Sequence, residues 1–245
     1  MSIFLPEFSP GEHSNCLTKL DTDGYVILPS IEPNDLNFIT AAVSSSFLKT
    51  MNKNGYNGDC SIDSYHEAQL SNHSDVWTKR NRTLCNYHTT NITKLKYFRS
   101  LFDSLKLKYI TDEQRLGYPN LYYRLIRPGD MDIGSLHADS WFWQIDGHQL
   151  RPDSRRLKIW IPLLTAGQDA FLFIPRSQNN PQKYRWEIID SYGMKKPKLI
   201  SAIDEPICSH GSKPGSPILF HDNLIHGGRP ILNHTRVSIE FTIVI

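Results

Sequence analysis

Long apolar runs are missing from this chain: no segment approaches the ~20 consecutive apolar residues that a membrane-crossing helix needs. The opening Met1-Ser-Ile-Phe-Leu-Pro-Glu-Phe-Ser-Pro has neither the basic start nor the extended apolar stretch of a secretion signal. Cysteine is scarce. Cys16, Cys60, Cys85 and Cys208 stand far apart with no CxxC pair, which excludes a disulfide framework and reads as reduced thiols in a cytoplasmic protein. Nor does one sign of charge dominate: 27 Lys and Arg against 25 Asp and Glu leave a net of +2 over 245 residues. That balance offers no electrostatic footprint for nucleic acid or an anionic membrane, and favours a small-molecule partner. Repeats, low-complexity stretches and linkers are absent as well. What is present is an ordinary globular mixture, 39% hydrophobic and 21% charged.

The expected organisation is a single domain over residues 1–245, helical to about residue 115 and β-rich from about 116 to the end. Tyr25-Val-Ile-Leu reads as a strand after a Thr-Asp-Gly turn. Residues 31–49 begin with Glu-Pro-Asn-Asp, good helix-start chemistry, and carry Leu36, Ile39, Ala42, Val43 and Phe47 at helical spacing. Residues 93–109 repeat that pattern with Leu95, Phe98, Leu101, Phe102 and Leu105. Between them, residues 55–88 are polar and long enough to form a lid. After Gly117 come short runs rich in Ile, Val, Tyr, Phe and Trp, at residues 118–126, 157–164, 170–174, 198–203, 217–220 and 235–245. Pro, Gly, Asn and Asp clusters separate them, which is the spacing of a sandwich or barrel and not of alternating βα units. The expected fold is therefore mainly β with flanking α, a cupin-like jelly roll (double-stranded β-helix) with the N-terminal helices packed on its major sheet.

Two His-x-Asp triplets occur, and a chain with ten histidines generates such matches by chance. His73-Ser-Asp75 sits in a polar stretch and reads as a loop or helix start. His137-Ala-Asp139 lies between a strand and the aromatic run Trp141-Phe-Trp143. On extended chain its imidazole and carboxylate share a face. A third ligand is available from His226, ahead of Gly227-Gly228, or from its rival His221 five positions earlier. His137, Asp139 and His226 make a facial set of two imidazoles and one carboxylate, which suits non-haem Fe(II) because it leaves coordination positions open. Ten residues beyond His226, Arg236 and Ser238 share a strand face, and a guanidinium fork with a hydroxyl suits the distal carboxylate of a bound keto acid.

In this order the residues resemble the Fe(II)/2-oxoglutarate dioxygenases, specifically the phytanoyl-CoA dioxygenase family. The likeness runs from about residue 20 to the end. Asp23-Gly-Tyr-Val-Ile-Leu-Pro-Ser-Ile resembles that family's opening, and Leu157-Lys-Ile-Trp160-Ile-Pro-Leu its strand with a tryptophan in the co-substrate pocket. Pro214-Gly-Ser-Pro-Ile-Leu-Phe-His221 resembles the strand before the distal histidine. Phe173-Ile-Pro-Arg-Ser-Gln178 departs from the family's Pro-Gly-Ser-His, carrying Arg176 and Gln178 instead. The resemblance implies Fe(II) on His137, Asp139 and His226, with 2-oxoglutarate on Arg236, Ser238 and Trp160 and O2 as the other co-substrate. It also implies hydroxylation of a small-molecule C–H bond with release of succinate and CO2. Halogenating relatives have a small residue where Asp139 stands, which places this chain with the hydroxylating type. Candidates for the substrate pocket are Trp141, Trp143, Tyr123, Arg124 and Lys158. Trp141 and Trp143, two apart, form either a packed core or a wall over the substrate. Two other readings of the same residues are a jelly-roll binding module without turnover, and a cupin-like metalloenzyme that does not use 2-oxoglutarate.

Overall fold

A computed structural model describes residues 10–56, 60–68, 73–129, 132–165, 167, 170–191 and 194–245. Helix α1 (Pro10–Asp23) leads into strand β1 (Tyr25–Ile27). Gly24 between them takes φ +83°, and a side chain there would fall 2.2 Å from the Gln178 amide oxygen. Helix α2 (Pro33–Lys53) starts with Pro33 in its first turn and ends with Lys53, as proline's fixed φ and the helix dipole favour. It buries Ile39, Ala42, Val43, Phe47 and Met51, the stripe set by its three-to-four-residue spacing.

The polar stretch 55–88 also sends side chains into the main core. Within its described part, which leaves out residues 57–59 and 69–72, Ile62, Tyr65, Val76, Trp77 and Leu84 are buried in the main core. Short helix α3 (His73–Val76) carries His73. Its Nδ1 accepts from the Tyr65 hydroxyl at 2.7 Å, and that hydroxyl accepts from Trp77 Nε1 at 2.5 Å. An unexpected helix α4 (Asn86–Thr93) comes first, and the helix expected over 93–109 is the shorter α5 (Lys96–Leu105). Leu95 is extended between them, and the Thr93 hydroxyl donates back to the Thr89 and Thr90 carbonyls. Such back-bonding weakens helix continuation. A sixth helix, α6 (Asp139–Ile145), lies within the β-rich half.

The remaining strands are β2 (Tyr109–Ile110), β3 (Tyr122–Ile126), β4 (Arg156–Leu164), β5 (Phe171–Phe173), β6 (Trp186–Ser191), β7 (Met194–Leu199), β8 (Cys208–His210), β9 (Ile218–His221), β10 (His226–Gly228) and β11 (Arg236–Val244). All pair antiparallel. The major sheet runs β1-β9-β4-β11-β2, with β3 also on β11, and the minor sheet runs β10-β5-β8. Strands β6 and β7 form a separate hairpin. This is the jelly roll with flanking helices.

Successive strand residues face opposite ways, so each major-sheet strand has two chemistries. Tyr123, Leu125, Leu157, Ile159, Ile161, Leu163, Val237, Ile239, Phe241 and Ile243 face the helices and join Phe47, Phe98 and Phe102 in the main core. Phe241 meets Phe98 and Phe102 edge-on at ring-centroid distances of 5.8 and 6.3 Å. The opposite face, toward the minor sheet, carries Arg124, Lys158, Trp160, Arg236, Ser238 and Glu240. All four cysteines are free, and no described helix is long and apolar enough to cross a membrane.

Candidate metal centre

Two segments 89 residues apart are joined backbone to backbone. His137 N donates to the His226 carbonyl at 2.9 Å and His226 N to the His137 carbonyl at 2.8 Å, an isolated antiparallel bridge that extends the minor sheet past β10. Beyond it the chain turns at Ala138, still extended at φ −104° and ψ 139°, and Asp139 opens α6. Asp139 therefore stands in the first turn of a helix, where a carboxylate is favoured, and not on the continuing strand that its spacing from His137 suggests. Ser140 N donates to the Asp222 carbonyl at 2.9 Å and fixes this corner. Gly227 and Gly228, where a glycine pair suggests a turn at the strand end, instead continue β10. They allow close approach: a Cβ on Gly228 would come within 2.9 Å of Arg236 Nη2.

Among the described residues, His137, Asp139 and His226 form the one cluster of histidine, cysteine or carboxylate side chains able to hold a metal ion, with ligand atoms all within 4.8 Å. Each imidazole has its outer nitrogen committed. His137 Nδ1 donates to the Ser135 carbonyl at 2.8 Å and His226 Nδ1 to the Leu224 carbonyl at 2.9 Å. Both rings are thereby set in the tautomer that turns a free Nε2 lone pair inward. Each Nε2 lies 3.8 Å from Asp139 Oδ1. Burial pushes His137 down to about 4, with the neighbouring His226 adding to the effect, and burial lowers His226 as well. The pair is therefore neutral at physiological pH, as metal ligation requires. Burial works to raise Asp139, but Lys158, His226 and His137 together outweigh it and hold the carboxylate well below its usual range.

Behind the cluster, Arg236 is 5% exposed. Its Nη1 donates to the Ala170 and Arg229 carbonyls, both at 2.9 Å, while its Nε is buried with no hydrogen-bond partner. Burial, then the charge of Arg124, lowers it to about 10, still cationic at neutral pH. A cation held on one edge and orphaned on another is suited to receive an anion. Arg236, Ser238, Trp160, His137 and His226 line one cavity of about 480 Å³, open to solvent, together with Arg124, Glu240, Ile126, Ile133 and Phe171. Two inward lone pairs, a carboxylate with one oxygen buried and an orphaned guanidinium nitrogen fit a divalent metal with an anionic co-ligand.

A family model described as phytanoyl-CoA dioxygenase (PhyH) matches residues 20–237. The chain belongs to the phytanoyl-CoA dioxygenase family. No curated protein sequence matches it. The solved structure of EctD from S. alaskensis with 2-oxoglutarate and 5-hydroxyectoine is similar at a TM-score of 0.58 and 15% identity, over 98% of this chain and 78% of that one. EvdO2 from Micromonospora carbonacea var. aurantiaca, complexed with 2-oxoglutarate, is similar at 0.53 and 12%, over 94% and 90%. At these identities the likeness is one of fold.

Within this phytanoyl-CoA dioxygenase fold the remaining candidates divide. Arg124 reaches the cavity, with Nε donating to Glu240 Oε1 at 2.8 Å. Lys158 is buried beside the cluster, Nζ 3.4 Å from Asp139 Oδ2. Tyr123 faces the helices, edge-on to Trp77, with its hydroxyl donating to the Asn81 carbonyl. Trp141 and Trp143 do not share a face, because helix replaces strand there. Trp141 is buried, stacked on Trp186 at 5.4 Å, and Trp143 lies under the Arg156 guanidinium at 4.4 Å. Neither lines the cavity. His221 stays outside the cluster, its Nδ1 accepting from Asn223 N at 3.1 Å. In the departing Phe173–Gln178 stretch, the Ser177 hydroxyl accepts from Ile225 N at 2.8 Å and donates to the Ile174 carbonyl at 2.7 Å, anchoring the residue before His226. Sequence reasoning missed Glu240 and Phe171. Glu240 shares the strand parity of Arg236 and Ser238, so that signal was present. Phe171, stacked on His226 at 5.3 Å and 18°, had none.

Proposed function

We propose that this protein is an Fe(II)- and 2-oxoglutarate-dependent oxygenase that hydroxylates an unactivated C–H bond of a small-molecule metabolite, releasing succinate and CO2. The observation that carries the reading is the committed tautomer of both imidazoles, whose inward Nε2 atoms meet Asp139 Oδ1 at the wall of a cavity. His137, Asp139 and His226 would hold the iron, which with the keto acid supplies the oxidising chemistry. Arg236, through its unpartnered Nε, would grip the distal carboxylate of 2-oxoglutarate, with Ser238 and Trp160 beside it. Phe171 and Phe220 pack on His226 at 5.3 and 4.6 Å and keep water from that side of the ring. Retention of Asp139 supports hydroxylation over halogen transfer.

The test is succinate formation under O2 with Fe(II), 2-oxoglutarate and a panel of small metabolites. The wild-type chain is expected to release succinate, and Arg236→Ala to need far more 2-oxoglutarate to do so. A chain that binds Fe(II) but never forms succinate would instead be a metal-binding jelly roll or an enzyme independent of 2-oxoglutarate.

A further inference from the structure

Lys158 sits on the cavity face of β4 between Arg156 and Trp160 and is 8% exposed. A lysine this buried is costly unless carboxylates surround it. Three do: Asp139, Glu240 and Glu113 all act on it. Two of these have closer partners of their own. Glu240 accepts from Arg124 Nε at 2.8 Å, and Glu113 is paired with Lys79 and accepts from the Thr242 hydroxyl at 3.0 Å. Asp139 differs, since no hydrogen bond reaches its Oδ2 and its nearest groups besides Lys158 are the two imidazole Nε2 atoms, each 3.8 Å from Oδ1. The carboxylate is divided in use. Oδ1 faces both Nε2 atoms, whereas Oδ2 lies 3.4 Å from Lys158 Nζ, within Coulombic reach but without a hydrogen bond. A second contact joins the same two elements one turn along. Arg156, two residues before Lys158, covers the ring of Trp143, four residues after Asp139. Strand β4 thus holds α6 at two successive points, one of them ionic and aimed at the metal-ligand side chain.

We infer that Lys158 is a built-in counter-cation for Asp139, which keeps the cluster assembled before metal arrives and lowers the metal affinity of the folded protein. The inference rests on the metal-binding reading above. Without metal, Lys158 is the nearest positive charge balancing a carboxylate whose Oδ2 is buried. With a divalent ion on Oδ1, that need is met by the ion, and the lysine becomes a nearby like charge. Removing the lysine therefore harms the metal-free protein more than the loaded one. By the closed cycle of folding and binding, metal must then bind more tightly to the folded variant. A residue that merely aimed the carboxylate at the metal has the opposite signature, because its loss weakens binding.

The experiment is Co(II) titration of the full chain, followed by its visible d–d absorption, with thermal melts of each variant without metal and in saturating Co(II). Lys158→Met is expected to melt lower than wild type without metal, to recover most of the loss in Co(II), and to bind Co(II) on the order of tenfold more tightly. Lys158→Arg, which keeps the charge, is expected to stay near the wild-type affinity. If Lys158→Met folds only with Co(II) present, the proposal is supported in its strongest form. In an Asp139→Asn background, adding Lys158→Met is expected to lower the metal-free melting temperature far less than it does alone. Weaker or unchanged Co(II) binding by a folded Lys158→Met variant overturns the proposal. If wild type itself binds no Co(II), the metal reading fails, a distinguishable result.

Discussion

Along β11, Val237, Ile239, Phe241 and Ile243 turn toward helices and aromatic rings, whereas Arg236, Ser238 and Glu240 line the cavity and Thr242, on their face, donates to Glu113; every one of the eight is buried. Burial of the first set removes apolar surface from water, roughly 1.5–3 kcal/mol for each large side chain. Burial of the second set carries a desolvation cost, met partly by pairing, as Glu240 with Arg124, and left unmet at Arg236 Nε. Glu240 shows the scale of that pairing: burial alone works to raise it, yet Arg124 and Lys158 hold it at about 2. One face is therefore explained by folding alone. The other contains charges that folding does not need, which is where function is to be sought.

Breaking the apolar face has the larger effect. Phe241→Ala is expected to lose about 3–5 kcal/mol in denaturant unfolding, with Co(II) affinity of the folded protein unchanged. Ser238→Ala, three residues away on the other face, should cost about 1 kcal/mol or less. Equal losses would erase the distinction between the faces.

A pH-dependent contrast lies where residues 73–77 meet the cavity rim. His73 is lowered to about 4, chiefly by burial, which Asp132 at 3.7 Å only partly opposes. Its folded pKa lies below the unfolded value near 6.5, so the unfolded chain binds more protons between those limits. The contribution is present above about pH 6.5 and is lost as pH falls toward 4, up to about 3 kcal/mol. His73→Gln should flatten the stability profile over that window, as measured by urea unfolding at pH 4.5 and 7. An unchanged slope would show that other groups set it. The smallest effect is expected of Tyr123→Phe, within about 1 kcal/mol of stability and with kcat/KM unaltered, because that hydroxyl faces the helices. A large fall in kcat/KM would return Tyr123 to the cavity.

Much of this contrast was legible in the sequence. Strict alternation over residues 236–243 announced a strand with one polar face, and the spacing of His137, Asp139 and His226 suggested the cluster. Alternation also held the answer at β3, where Arg124 and Tyr123 cannot both reach the cavity. Helix α6 was hidden because Asp139-Ser-Trp-Phe-Trp-Gln-Ile is rich in aromatics that favour strands. Tertiary fit overrides that preference, since Trp141 gains a stacking partner in Trp186, 45 residues downstream. Hairpin β6–β7 was largely missed, since the run expected over 198–203 shares only Lys198 and Leu199 with β7 and residues 200–203 are not strand. Its second strand, Met-Lys-Lys-Pro-Lys-Leu, carries a proline and three lysines, which only an exposed edge tolerates. Strands β8 and β10, at three residues each, are too short for any periodicity to reveal.

On the proposed reading, His137, Asp139 and His226 grip one ferrous ion while Arg236 holds the keto acid beside it. Anaerobic addition of 2-oxoglutarate to the Fe(II)-loaded chain, followed in the visible range, addresses both halves together. A weak charge-transfer band that saturates at one equivalent of iron, is lost in Arg236→Ala and never forms in His226→Ala is the expected result. A band that survives loss of Arg236, or a chain that takes up no iron, would contradict it.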